Sequence, residues 1–212
     1  MPLSIRSGNF GNYWGNDFSS SKALNMDQMK LNAEYIYNGL SAKGFTKESI
    51  CGMLGNIQTE STINPGRWES DRVGGHPRGH GYGLVQWTPY NKYTNWCNGD
   101  PSTMDNNLDR INYEVENGIQ WLKTKKYPLT FRQFKTSTES PDYLANAFLT
   151  NYERPRDPIQ PRRGRQALYW YDYLNGGVSP QPSPTPTPTP ETTVINVRKW
   201  LAARCFRINI RG

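Results

Sequence analysis

Apolar residues recur at helical spacing along most of the chain, and the polar residues between them mark where each helix starts and stops. Met29, Ala33, Ile36 and Leu40 share one face behind Asn25 and Gln28, which stand as N-cap and N3 partner, and Gly44 lies beyond the end. Thr46 caps a second helix in which Ile50, Met53, Leu54 and Ile57 follow the i, i+3, i+4, i+7 pattern. That short amphipathic helix ends in a glutamate, Glu60, and breaks at Pro65-Gly66. Met104, Leu108, Ile111, Val115, Ile119 and Leu122 predict one long helix. Ser140-Pro141 opens another, in cap-then-proline order, carrying Leu144, Phe148 and Tyr152. The last runs from about Arg162 to Leu174 and stops at Gly176-Gly177. Between the second helix and the long one, residues 64–83 are loop-like, with Gly74, Gly75, Pro77, Gly79 and Gly81, and have room for a small hairpin. The pattern predicts a mainly α, α+β fold with a small irregular or β region.

Four segments follow. Residues 1–24 read as an N-terminal arm rich in Gly, Asn and Ser, and residues 25–175 as the folded domain. Residues 176–191 form a Pro/Thr-rich linker whose stretch from Ser179 to Pro190 spans about 37 Å as a polyproline II rod. Residues 192–212 make a basic tail too short for a core of its own, and read as the remnant of a longer C-terminal module. Trp200, Leu201, Cys205, Phe206 and Ile208 interleave with its cations, the alternative pattern of a surface anchor.

Composition adjusts this picture in three places. Hydrophobic content is only 35%, but 13% of residues are aromatic, including seven Trp and thirteen Tyr; such rings fill cores and also stack on sugar faces. The formal charge is +7, of which +4 falls within residues 176–212; this suits a polyanionic partner, yet no nucleic-acid-binding motif appears. Three widely spaced cysteines, Cys51, Cys97 and Cys205, do not make a disulfide scaffold. His76 and His80, the two histidines, show no zinc-ligand spacing, so neither metal nor cofactor is expected. The N-terminus lacks the apolar core of a signal peptide, which implies synthesis in a cytosol without a secretory address.

The chemistry concentrates in two segments. Cys51 to Gly66 reads CGMLGNIQTESTINPG, and Glu60 falls roughly 80° from the centre of the apolar stripe at 100° per residue. A carboxyl group at the end of a buried helix, beside an apolar wall, is partly desolvated, and desolvation favours the protonated form that a general acid needs. His80 to Pro89 reads HGYGLVQWTP, a turn running into a short apolar stretch that contains Gln86 and Trp87.

The order of these parts resembles the lysozyme and lytic-transglycosylase superfamily. In that superfamily a helix ends in Glu-Ser, a Gly-Leu-Met-Gln-like segment follows, and a later tyrosine-bearing helix completes the cleft. The counterparts are Glu60-Ser61, Gly83-Leu84-Val85-Gln86 and Asn151-Tyr152-Glu153-Arg154-Pro155. The wording is closer still to the lysozyme modules of peptidoglycan-degrading tail-tip proteins of short-tailed phages of Gram-positive bacteria, over roughly residues 25–175.

The resemblance implies cleavage of the β-1,4 bond between N-acetylmuramic acid and N-acetylglucosamine, with Glu60 as proton donor. It makes Gln86, Tyr152, Trp87, Tyr82 and Asn64 candidate substrate contacts, with the Tyr152 hydroxyl near Glu60 or the sugar. Glu69 and Asp71 are candidates for a second carboxylate, and Glu153 with Arg154 reads as a structural ion pair. Alternatives are a lytic transglycosylase giving 1,6-anhydro ends, another amino-sugar polysaccharide hydrolase, or a non-catalytic wall-binding tail component. The implied partners are peptidoglycan, other virion tail proteins and, through the basic tail, an anionic wall polymer. The implied location is the virion tail or, after release, the bacterial wall.

Overall fold

Asn25 and Gln28 close a reciprocal capping box, each side chain taking the other's backbone N–H at 3.0 Å, and helix α1 runs Met26–Ala42 from it. The computed structural model describes residues 22–71 and 79–177. The arm before residue 22, His76, the linker beyond Gly177, the basic tail with Cys205, and the side chain of Asp71 lie outside the described residues. Buried Met29, Ala33, Ile36 and Leu40 form the inner face of α1, as its spacing predicts.

Helix α2, Lys47–Ser61, starts where Thr46 accepts the N–H of Ser49. It departs from the amphipathic expectation, because every residue from Ser49 to Gln58 is buried. Two glycines make that possible. A Cβ on Gly52 would stand 2.8 Å from the Cβ of Leu144, and one on Gly55 would stand 2.3 Å from the carbonyl oxygen of Arg163. Both neighbouring helices therefore approach α2 at backbone distance, and α2 becomes the central rod of the fold. Those neighbours are α6, Pro141–Phe148, and α7, Pro161–Leu174.

The short helices α3, Asn91–Thr94, and α5, Phe131–Lys135, fall in stretches too brief for a periodic signal. Helix α4 spans Met104–Asn117 and stops at Gly118, whose φ of 62° ends it in the left-handed region. The predicted extension through Ile119 and Leu122 does not form, and Leu122 is exposed. After α6 the chain makes a wider π turn over Leu149–Glu153, ended by Arg154 at φ 51°. Helix α7 ends at Leu174, at the expected boundary.

The fold is mainly α. Between α2 and α4 the described residues form no strand, only isolated antiparallel bridges pairing Tyr82 with Trp68 and with Trp87. Aromatic packing holds this irregular region: the Trp68 and Tyr82 rings lie 4.5 Å apart, and Trp87 stacks on Tyr93 at 4.4 Å. Cys51 is buried inside α2, where burial pushes its thiol up to about 12, and Cys97 is a free thiol as well.

Candidate active site

Glu60 is the penultimate residue of α2, and the chain leaves that helix under strain. Thr62 and Ile63 both take left-handed conformations, at φ 54° and 56°, and Ile63 is fully buried. For β-branched residues that geometry costs about 1–3 kcal/mol each and persists only where the surroundings enforce it. Here the Thr62 hydroxyl oxygen accepts the N–H of Leu24 at 2.9 Å, and the Ile63 carbonyl accepts the Asn32 amide at 2.8 Å. The helix end is thus pinned from α1, and Glu60 projects at a fixed place.

A buried guanidinium meets it there. Nη2 of Arg163, from the first turn of α7, donates to Oε1 of Glu60 at 2.6 Å. Nη1 donates to Asn56 Oδ1 at 3.1 Å, and Nε donates to Gln160 Oε1 at 2.7 Å. Asn56 lies one turn before Glu60 on α2, and its amide donates to the Ala145 carbonyl of α6 at 3.0 Å. Glu60 is therefore clamped by an arginine rather than resting against an apolar wall. Arg163 was not singled out from the sequence, where it stands among Arg162 and Arg165 in the same turn of α7 and nothing local marks it as the buried one.

Glu60 opens into a cleft of about 310 Å³, lined among others by Trp68, Glu69, Gln86, Trp87, Lys92, Gln120, Tyr152 and Glu153. The three motif segments meet here. A wider hollow of 560 Å³ at the end of α7, beside Glu34, Lys47 and Tyr173, brings none of them together.

The second wall depends on an acid that the sequence reading missed. Glu114 is buried in the last turn of α4 and accepts from Trp87 Nε1 at 3.0 Å, Arg110 Nε at 2.9 Å and the Tyr152 hydroxyl at 2.5 Å. Burial raises its pKa, against the lowering effect of those three donors. An acid among Leu108, Ile111 and Val115 was visible as a polar residue within an apolar stripe. The Tyr152 hydroxyl therefore points to Glu114, not to Glu60, while the ring flanks the cleft. Burial, and then the charge of Glu114, raise the Tyr152 phenol far above its ordinary range.

Glu153 follows on the π turn and also lines the cleft. Its Oε1 is buried with no hydrogen-bond partner. Its carboxyl is pushed well above the usual range, first by desolvation and then by the charge of Glu60, with Arg163 opposing. The expected ion pair with Arg154 is replaced by another arrangement: the Arg154 guanidinium donates to the carbonyls of Gln120 and Asn151.

The remaining candidates divide by place. Gln86 lines the cleft at φ 50°, with its amide donating to the carbonyls of Arg67 at 3.0 Å and Gly83 at 2.8 Å, so it braces the loop. Trp87 lines the cleft with its ring edge committed to Glu114. Glu69 is half-exposed at the rim; its Oε2 accepts the Gly81 N–H at 2.7 Å and lies 3.6 Å from His80 Nδ1. Asn64 and Tyr82 are fully buried away from the cleft. Asn64 accepts the Gly66 N–H at 2.8 Å and donates to the Lys22 carbonyl at 2.6 Å, a turn-building role, and Tyr82 packs behind Trp68. The side chain of Asp71 lies outside the described residues. Among the described residues no cluster of three or more His, Cys, Asp or Glu is gathered as a metal site, and no helix is long and apolar enough to cross a membrane.

Comparison with known proteins places the chain among relatives. Morphogenesis protein 1 of Bacillus phage B103 is 48% identical over 162 residues, covering 75% of this chain and 43% of the relative. The chain thus spans less than half the length of that curated relative. Residues 31–174, which run from within α1 through α7 and include Glu60, Glu114 and Glu153, match the model of the phage tail lysozyme family, and the chain belongs to that family.

Proposed function

We propose that the chain is a peptidoglycan glycosidase that cleaves the β-1,4 bond between N-acetylmuramic acid and N-acetylglucosamine, with Glu60 as general acid. The observation that carries this reading is the meeting of Glu60 with Arg163 and Glu153 in a cleft walled by Trp68 and Trp87. Cleavage needs a proton on the departing oxygen and negative charge near an oxocarbenium-like centre, and a pair of glutamates beside one arginine can meet both needs. Family membership supports an enzyme carried in the virion tail, opening the wall locally or contributing to lysis. Its partners are then peptidoglycan and other tail proteins.

Digestion of purified Gram-positive peptidoglycan, with mass analysis of the new ends, tests this reading. Reducing muramic acid ends are expected. 1,6-Anhydro ends would make the enzyme a transglycosylase, N-acetylglucosamine reducing ends would move the scissile bond, and undigested wall would leave a non-catalytic tail component.

A further inference from the structure

An ionised carboxylate is costly wherever one of its oxygens is sealed from water without a hydrogen bond. Oε1 of Glu153 is in that position, at the edge of the cleft that also holds Glu60. Charges face it from each side: Glu60 on α2 and Glu114 on α4 are acidic, while Arg163 on α7 and its own neighbour Arg154 are basic. Neither arginine is turned to it. Arg163 spends its nitrogens on Glu60, Asn56 and Gln160, and Nη1 of Arg154 donates to the carbonyls of Gln120 and Asn151. The negative neighbours and the dry oxygen both favour a neutral Glu153.

We propose that Glu153 holds, in the free protein, the proton that Glu60 delivers to the glycosidic oxygen, so that the two glutamates lining this cleft share one proton. The proposal rests on the glycosidase reading. Before cleavage the proton moves from the Glu153 carboxyl to the Glu60 carboxylate. Glu153 takes up the negative charge, and Arg163 keeps its hydrogen bond to Glu60. Glu60 then gives the proton to the glycosidic oxygen as the C1–O bond breaks and its electron pair passes to that oxygen. Water adds to the anomeric carbon, its released proton returns to the pair, and the original state is restored. Glu153 acts through Glu60. It takes the place expected of the loop acid Glu69, whose Oε2 is already engaged by the Gly81 N–H.

The test is the pH–rate profile on soluble wall fragments for wild type, Glu153→Gln, Glu153→Asp and Glu60→Gln, each checked for folding by thermal unfolding. Glu153→Gln should shift the basic limb to lower pH by about one unit or more, losing about ten-fold in rate at neutral pH and recovering most of it under acid conditions. Glu153→Asp, which keeps the proton, should keep the limb near its wild-type position. An unshifted profile in Glu153→Gln, or a uniform loss at every pH, overturns the proposal. If neither variant folds, infrared spectra of the wild type decide: a carboxylic C=O band must disappear along the basic limb of the activity profile, and its absence overturns the proposal. Wild-type turnover by Glu60→Gln would instead overturn the glycosidase assignment of Glu60, whatever Glu153 does.

Discussion

Nη2 of Arg163 lies 2.6 Å from Oε1 of Glu60, so the acid at the end of the central helix is held by the last helix of the domain. The ion pair is largely dry on the arginine side, with 5% of that side chain exposed against 21% for the glutamate. The position of the Glu60 carboxyl is therefore set by helix packing rather than by a loop.

Glu60→Gln should fold and lose nearly all wall-cleaving activity. The amide still accepts from Arg163 but has no acidic proton to give, and loss of a general acid costs about 10²–10⁴-fold in rate. Stability should fall by only about 1–2 kcal/mol, because a charge-assisted acceptor is replaced by a neutral one. Turnover assays beside urea unfolding check both halves.

Arg163→Ala should destabilise the domain by about 3–5 kcal/mol, since it strands Glu60 and unties Asn56 from Gln160. Arg163→Lys keeps the charge but cannot serve three acceptors in one plane, so it should remain folded with weakened activity. Urea midpoints of the two variants, compared with their rates, separate the structural loss from the chemical one.

Gly55→Ala is a single methyl with a large expected effect. The new Cβ would lie 2.3 Å from the Arg163 carbonyl oxygen and 2.9 Å from the Ala167 N, both backbone atoms. Overpacking of that kind costs about 1–3 kcal/mol or more and would push α7, with Arg163, away from Glu60. A lowered unfolding temperature together with lost activity is the expected pair of results. Gly118→Ala, where a Cβ meets nothing within 4 Å, should show only the modest strain of its φ of 62°.

The raised carboxyls of Glu153 and Glu114 fix a sign for stability against pH. Each binds its proton more tightly folded than unfolded. Between the ordinary carboxyl range and the raised folded value the native state carries the extra proton. Stability therefore falls as pH rises through that window. Glu153→Gln should remove its share of the slope, at most about 1.4 kcal/mol per pH unit. Urea midpoints across that range for wild type and Glu153→Gln give the comparison; parallel slopes would contradict the assignment.

The helices and their caps were legible in the sequence wherever a local signal decided them. Asn25 with Gln28, Thr46 before α2 and Gly176 after α7 act through neighbouring residues, and each boundary appears where the pattern puts it. Long-range effects were not legible. Periodicity carried α4 on to Leu122 because it has no means of weighing Gly118 as a left-handed stop. The burial of α2 on all sides depends on what Gly52 and Gly55 meet from other helices. The same limit applies at the cleft. Glu60, Gln86 and Trp87 announce themselves by motif, whereas Arg163 and Glu153 gain meaning only once α7 and the π turn bring them beside Glu60. Asn64 and Tyr82 sit inside motif segments yet serve the turns and the core behind them.

Glu114 has a consequence for the shape of the cleft. By taking the indole N–H of Trp87 and the hydroxyl of Tyr152 on its two oxygens, it ties walls that come from distant parts of the chain to one rivet in α4. The gap between those walls cannot breathe independently of that helix. Whatever enters it meets an aperture of preset width, and any drift in one wall must either carry the other along or break a bond in the dry interior.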